Sequence, residues 1–141
     1  MVTHTKYGSA PANAYQGNIT DLNNTASDIR VALLDGNHTP ATNTNSTWSD
    51  ISANEVSGTG YTAGGAEIPN ISCTHGGAGT TTFDGDNVVW SSSTITASYA
   101  AVYDATTGNL LTLVDFEGSQ SSDNGDFTIE WDSSGIFTVT V

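Results

Sequence analysis

Basic residues are almost missing from this chain. Lys6 and Arg30 stand against fifteen Asp and Glu in 141 residues, for a formal net charge of −13. Affinity for phosphate rests on Lys and Arg, so a basic face for nucleic acid is not expected. Attraction to an anionic membrane surface fails for the same reason. Cysteine is reduced to Cys73, which leaves no intrachain disulfide. No apolar run approaches the roughly 18 residues of a membrane-spanning helix. The opening "MVTHTKYGSAPANAYQG" lacks an apolar h-region and does not read as a secretory leader. Two readings fit the loss of lysine: an ordinary soluble acidic protein, or adaptation to high salt. At molar salt the Debye length is about 3 Å, so the self-repulsion of such a surface is screened.

What the chain does have is Ser, Thr and Gly, with apolar residues at 36%. That mixture favours short strands and turns over amphipathic helices. The length suits one domain. Residues 1–27 carry no clear periodicity and read as an extended N-terminal arm; residues 28–141 read as the β-domain. "DIRVALLD" is a buried strand, and the polar stretch 36–54 that follows is a long loop with two apolar residues, Trp48 and Ile51. Pro69 separates two short strands, and "TTTFDGDNVVW" is a strand, a turn and a strand start. In "STITASYAAVYD", Ile95, Ala97, Tyr99, Ala101 and Tyr103 occupy alternate positions, the period of a half-buried strand. "DATTG" turns it into "NLLTLVDFE" as a hairpin. "DFTIEWD" alternates Phe127, Ile129 and Trp131, and "SSG" reads as a second hairpin turn into a face of Phe137, Val139 and Val141. About eight or nine strands with no helix beyond one turn predict an all-β fold, an antiparallel β-sandwich or barrel.

Residues able to do chemistry do not gather. Of His4, His38 and His75, only His75 lies near Cys73, and one pair cannot complete a zinc site. Asp84 with Asp86, and Asp123 with Asp126, could hold a hard cation. They lack the spacing of a calcium loop and read first as turn-forming Asp. A structural divalent cation is therefore the only cofactor left open. No nucleophile elbow or phosphate loop is present, and no pair of acids is singled out for glycoside hydrolysis. Asn18, Asn23, Asn37, Asn45 and Asn70 each begin an N-x-[ST] sequon. In "EVSGTGYTAGG" (55–65), Gly58, Gly60, Gly64 and Gly65 offer positive-φ or close-approach positions around Tyr61. The stretch reads as a structural turn where backbone passes close to backbone.

That stretch also carries a resemblance. With "IRVALLDGNHTP", "VVWSSSTITASYAAVYDATTGNLLTLVDF" and "NGDFTIEWDSSGIFTVTV", it resembles a small structural virion protein of tailed phages, over residues 28–141. Two positions depart from the family pattern: Ser98 stands where Arg or Lys is usual, and "DFE" (Asp115–Glu117) where "DFG" is usual. Both departures remove base or add acid, and they put any partner contact through the basic position in doubt. The resemblance implies no enzyme. It implies a capsid decoration or turret protein on the outer surface of the head, with the major capsid protein and further copies of itself as partners. The acidity adds a halophilic host, an archaeon among the candidates. On this reading a symmetric oligomer, a trimer by preference, sits on the shell through its arm. Lys6, Tyr7, Tyr15, Trp48 and Ile51 are the interface candidates, with Trp48 equally able to cap the core. The other functional class is a carbohydrate-binding receptor module of a spike or tail, which would use Tyr7, Tyr15 and Trp48 as exposed stacking surfaces.

Overall fold

Regular structure in the chain, seen here in a computed structural model that describes residues 2–140, is ten β-strands and one short α-helix. In order these are β1 (Thr3–Lys6), α1 (Ala10–Tyr15), β2 (Ile29–Leu34), β3 (Ala66–Glu67), β4 (Ser72–His75) and β5 (Thr80–Asp84). Then come β6 (Val88–Ser93), β7 (Thr96–Asp104), β8 (Leu110–Ser121), β9 (Gly125–Ile129) and β10 (Phe137–Thr140). Two 3-10 turns, Trp48–Asp50 and Ser52–Asn54, lie in the long loop. Every strand pairing is antiparallel. A five-stranded sheet runs β1-β8-β7-β2-β3, a three-stranded one β10-β5-β4, and β6 pairs with β9. The fold is all-β.

The five-stranded sheet is buried on both faces. On one face, Ile29, Val31, Leu33, Ala100 and Val102 pack with Phe83, Trp90, Phe127, Ile129 and Trp131 from the smaller sheets and the chain beyond β9. On the other, Ala32, Leu34, Ala101, Leu110 and Leu113 pack with Tyr7 and Ile51. That second cover is the reason "VALL" is apolar without alternation: from Val31 to Leu34 both faces of β2 are buried, and only Arg30 reaches water.

Several sequence expectations change here. The N-terminal segment is not an extended arm. Thr3–Lys6 pair with Thr112–Asp115 of β8, and Tyr7 follows into the core at 1% exposure. Four polar residues on an edge strand need no apolar period, so THTK gave no signal. The expected face of Ile95, Ala97, Tyr99, Ala101 and Tyr103 is broken in the middle. Ile95 and Ala97 join the first cluster, whereas Tyr99, Ala101 and Tyr103 face the second. A register irregularity between Ala97 and Tyr99 shifts the phase. β9 and β10 are not a hairpin either. β9 pairs with β6 and β10 with β5, so residues 130–136 cross between sheets. Val139 is 40% exposed and does not continue a buried face; Val141 lies outside the described residues. α1 is six residues long, slightly more than the single turn expected, and starts with Pro11 in its first turn.

Candidate functional site

Three places gather polar side chains, and each begins from a local constraint of the chain. The first is the glycine-rich stretch 55–65. Glu55 bridges to the end of β2 opposite Leu34. Its Oε1 accepts hydrogen bonds from the Tyr61 hydroxyl at 2.8 Å and from Gly64 N–H at 2.6 Å. The Tyr61 hydroxyl in turn accepts from Leu33 N–H at 3.0 Å, and the Tyr103 hydroxyl donates to Gly64 O at 2.8 Å. Burial and the Glu55 carboxylate push the Tyr61 phenol well above its ordinary pKa, so it stays a donor. Gly60, Gly64 and Gly65 have φ of 81°, 92° and 75°. A Cβ on Gly58 or Gly65 would overlap backbone of Thr94 or Val31. Glu55, the one acid here able to act as a base, is used to fold the turn.

The second place is the cover of the sheet's second face. Trp48 stacks on Tyr103 with ring centroids 4.7 Å apart and planes 11° from parallel. Its N–H donates to Gly108 O at 2.7 Å, and Asp50 Oδ2 accepts from Ser46 and Thr47 N–H at 2.9 Å each. These bonds, that to Ser46 first, hold the Asp50 carboxyl below its ordinary range. Ile51 is 2% exposed. Tyr7 and Ile51 are thus core residues of this chain and not available to a partner, which corrects their assignment to an interface. Trp48 caps the core. Truncating it to alanine removes the ring pairing and part of its buried area, so Trp48→Ala should lose about 1–3 kcal/mol in urea denaturation, with the strands retained by circular dichroism.

The third is a groove of about 830 Å³ between β1 and the crossover 130–136. An adjoining hollow of about 360 Å³ shares Val2, His4, Glu130 and Trp131 with it. Its donors are already engaged. His4 Nδ1–H donates to Ile136 O at 3.0 Å, Lys6 Nζ to Thr138 O at 2.8 Å, and Trp131 Nε1 to Asp86 O at 2.9 Å. His4 and Lys6 therefore stitch the edge of one sheet to the carbonyls of Ile136 and of Thr138 in β10, blunting an open edge. Sequence reasoning missed this role for His4. THTK has no apolar period to reveal it, and only the strand pairing shows that residues 4 and 6 share one side.

The remaining candidates stay apart. Asp86 accepts from Asn70 Nδ2 at 2.6 Å, Asp126 from Ser92 N–H at 3.4 Å, Asp84 ends β5 opposite Ser72, and Asp123 lies exposed before β9. Among the described residues no three of His, Cys, Asp or Glu are placed to hold a metal ion. Cys73 is half-buried on β4, where burial raises its thiol pKa, and His75 is exposed at the end of that strand. Of the sequon asparagines, Asn18, Asn23, Asn37 and Asn70 are exposed and Asn45 is partly buried. Tyr15 on α1 is 90% exposed. Comparison with protein-family models, with curated proteins and with solved structures gives no match.

Proposed function

We propose that the protein is a non-enzymatic structural component of a tailed-virus particle, displayed on the outside of the head. One observation carries the reading: the motifs that resemble the phage virion family are spent on construction. Glu55, Tyr61, Gly64 and Tyr103 bond to one another, and Trp90, Phe127, Ile129 and Trp131 fill one core. A chain whose most distinctive residues all build the domain is suited to displaying a stable body. The receptor-binding alternative loses two of its three aromatics, since Tyr7 is buried and Trp48 lies flat on Tyr103. Only Tyr15 remains as a free ring.

On this reading the partners are the major capsid protein and further copies of the chain, a trimer by preference because closed cyclic assembly avoids open-ended growth. With β1 built into the sheet, contact falls to exposed side chains, of which Val2, Tyr15, Val89 and Val139 are the large apolar ones. Quantitative mass spectrometry of purified particles should find the protein at a fixed stoichiometry to the major capsid protein. Its absence from particles, or turnover of a glycan, ester or peptide abolished by replacing one acid, overturns the proposal. Deleting residues 2–20 removes β1 and Tyr7 and would unfold the domain, so Tyr15→Ala is the cleaner probe of attachment.

High-salt adaptation belongs to the same proposal. Fifteen acids face two basic residues, of which Arg30 pairs its Nε with Asp28 Oδ1 at 2.7 Å, and the formal net charge of −13 is what remains. Raising KCl from about 0.1 to about 2 M should raise the thermal midpoint, because screening relieves like-charge repulsion. A flat or falling midpoint would show that the acidity has another cause.

A further inference from the structure

Residues 36–54 lie over the second face of the five-stranded sheet without joining it as a strand. Ile51 and the Trp48 stack hold the loop at one end. At the other sits His38, 5% exposed, its ring edge-on to Tyr99 of β7 with centroids 5.4 Å apart. Nε2 of His38 has no hydrogen-bond partner. The same holds for the Tyr7 hydroxyl, Ser9 Oγ and Thr20 Oγ1. Among the described residues, every buried side-chain polar atom lacking a partner falls within residues 7–38, and the one in this cover is His38 Nε2. The paired strands hold none. An unsatisfied buried group costs desolvation that opening the segment recovers.

We propose that residues 36–54 form an acid-released cover, with His38 as its trigger. The imidazole is seated neutral between the loop and Tyr99, and a proton on it places a cation in an apolar seat with no acceptor at Nε2. The charge is relieved only by lifting the loop into water, which uncovers Leu34, Tyr99 and Ala101.

The electrostatics agree in sign. Burial lowers the His38 pKa, and the Asp35 carboxylate at the end of β2 opposes this more weakly. Asp35 is itself occupied, accepting from Asn37 N–H at 2.8 Å and Asn37 Nδ2 at 3.2 Å. From β7 the facing group is the Tyr99 phenol. A histidine with a depressed folded pKa contributes stability in full above the unfolded value of about 6.5, and that contribution is lost as pH falls below it. Asp50, the acid that anchors the same loop, has its pKa lowered and keeps its charge through that window.

Hydrogen–deuterium exchange at about pH 7.5 and about pH 5.0, corrected for intrinsic rate, tests the proposal on the full chain. In the wild type, exchange within 36–54 should speed up about tenfold relative to β7 and β8, the change given by each pH unit below the open-state value of about 6.5 while the closed loop stays unprotonated. His38→Phe and His38→Gln cannot take up the proton and should show no such change. Should either variant fold poorly, the wild-type contrast between the loop and the strands still decides. An unchanged loop in the wild type, equal acceleration in the strands, or the same acid response in a folded variant overturns it.

Discussion

Gly65→Ala should remove a large share of the domain's stability. Gly65 is buried with φ of 75°, and a Cβ there would sit inside contact distance of Val31 O and Ala32 Cα in β2, an interior strand of the large sheet. The left-handed conformation alone costs about 1–2 kcal/mol for a residue with a side chain. Forcing a methyl group against backbone that cannot yield adds about 1–3 kcal/mol of overpacking. Together these take about 2–5 kcal/mol from a domain whose total margin is roughly 5–15. Any displacement of Gly65 also drags on Gly64, whose N–H and C=O are tied to Glu55 and Tyr103. Gly77→Ala is the control, because nothing lies within 4 Å of its added methyl and its φ is not positive. Circular dichroism and urea denaturation of both should give a collapsed midpoint for the first and an unchanged one for the second. A Gly65→Ala midpoint equivalent to wild type would mean that the close approach to β2 is not rigid.

The difference between these two glycines shows what could be read from the chain. The cluster of glycines around Tyr61 announced a tight passage, since no other residue fits close backbone approach. Which glycine matters most depends on β2 running beneath Gly65, a contact between positions far apart in sequence. Strand β2 was legible because six apolar or long residues between turn signals leave few alternatives. Its double burial pointed to covers on both sides without saying what they were. One proved to be Tyr7 with residues 36–54, a polar stretch that hides only a few inward side chains: His38, Trp48 and Ile51. The phase slip at Ser98 could not be seen, because Ile95, Ala97 and Tyr99 alternate with Thr96 and Ser98, 100–103 are apolar or aromatic throughout, and the shift arises only from pairing with β8. Likewise the "SSG" turn carries good turn chemistry, and Asp132 does accept from Ser134 N–H and Oγ. Turn chemistry fixes a local bend, and the partner of the next strand is decided by the core.

Replacing Asp104 should be the second most damaging change, and it tests how the N-terminal segment is held. Asp104 is fully buried at the end of β7. Its Oδ2 accepts from Thr20 N–H at 2.7 Å, and Oδ1 accepts from Thr106 N–H at 2.9 Å and Thr107 N–H at 3.3 Å. Three backbone donors satisfy the carboxylate and thereby lock the β7–β8 turn to residues some eighty positions earlier. Asp104→Ala leaves those three backbone donors without their acceptor, and each part-buried donor left unsatisfied costs about 1–3 kcal/mol. Asp104→Asn has nearly the same shape, yet one of its two terminal positions becomes an amide donor. Whichever way that amide is turned, it faces a backbone N–H, so about 1–3 kcal/mol should still be lost. A merely space-filling role would make asparagine silent and alanine harmful. Urea denaturation separates these cases, and hydrogen exchange adds where the damage falls: residues 18–27 should lose protection in both variants, together with the turn 104–108. If Asp104→Asn matches wild type in both measurements, the carboxylate is not what fastens the N-terminal segment to the sheet.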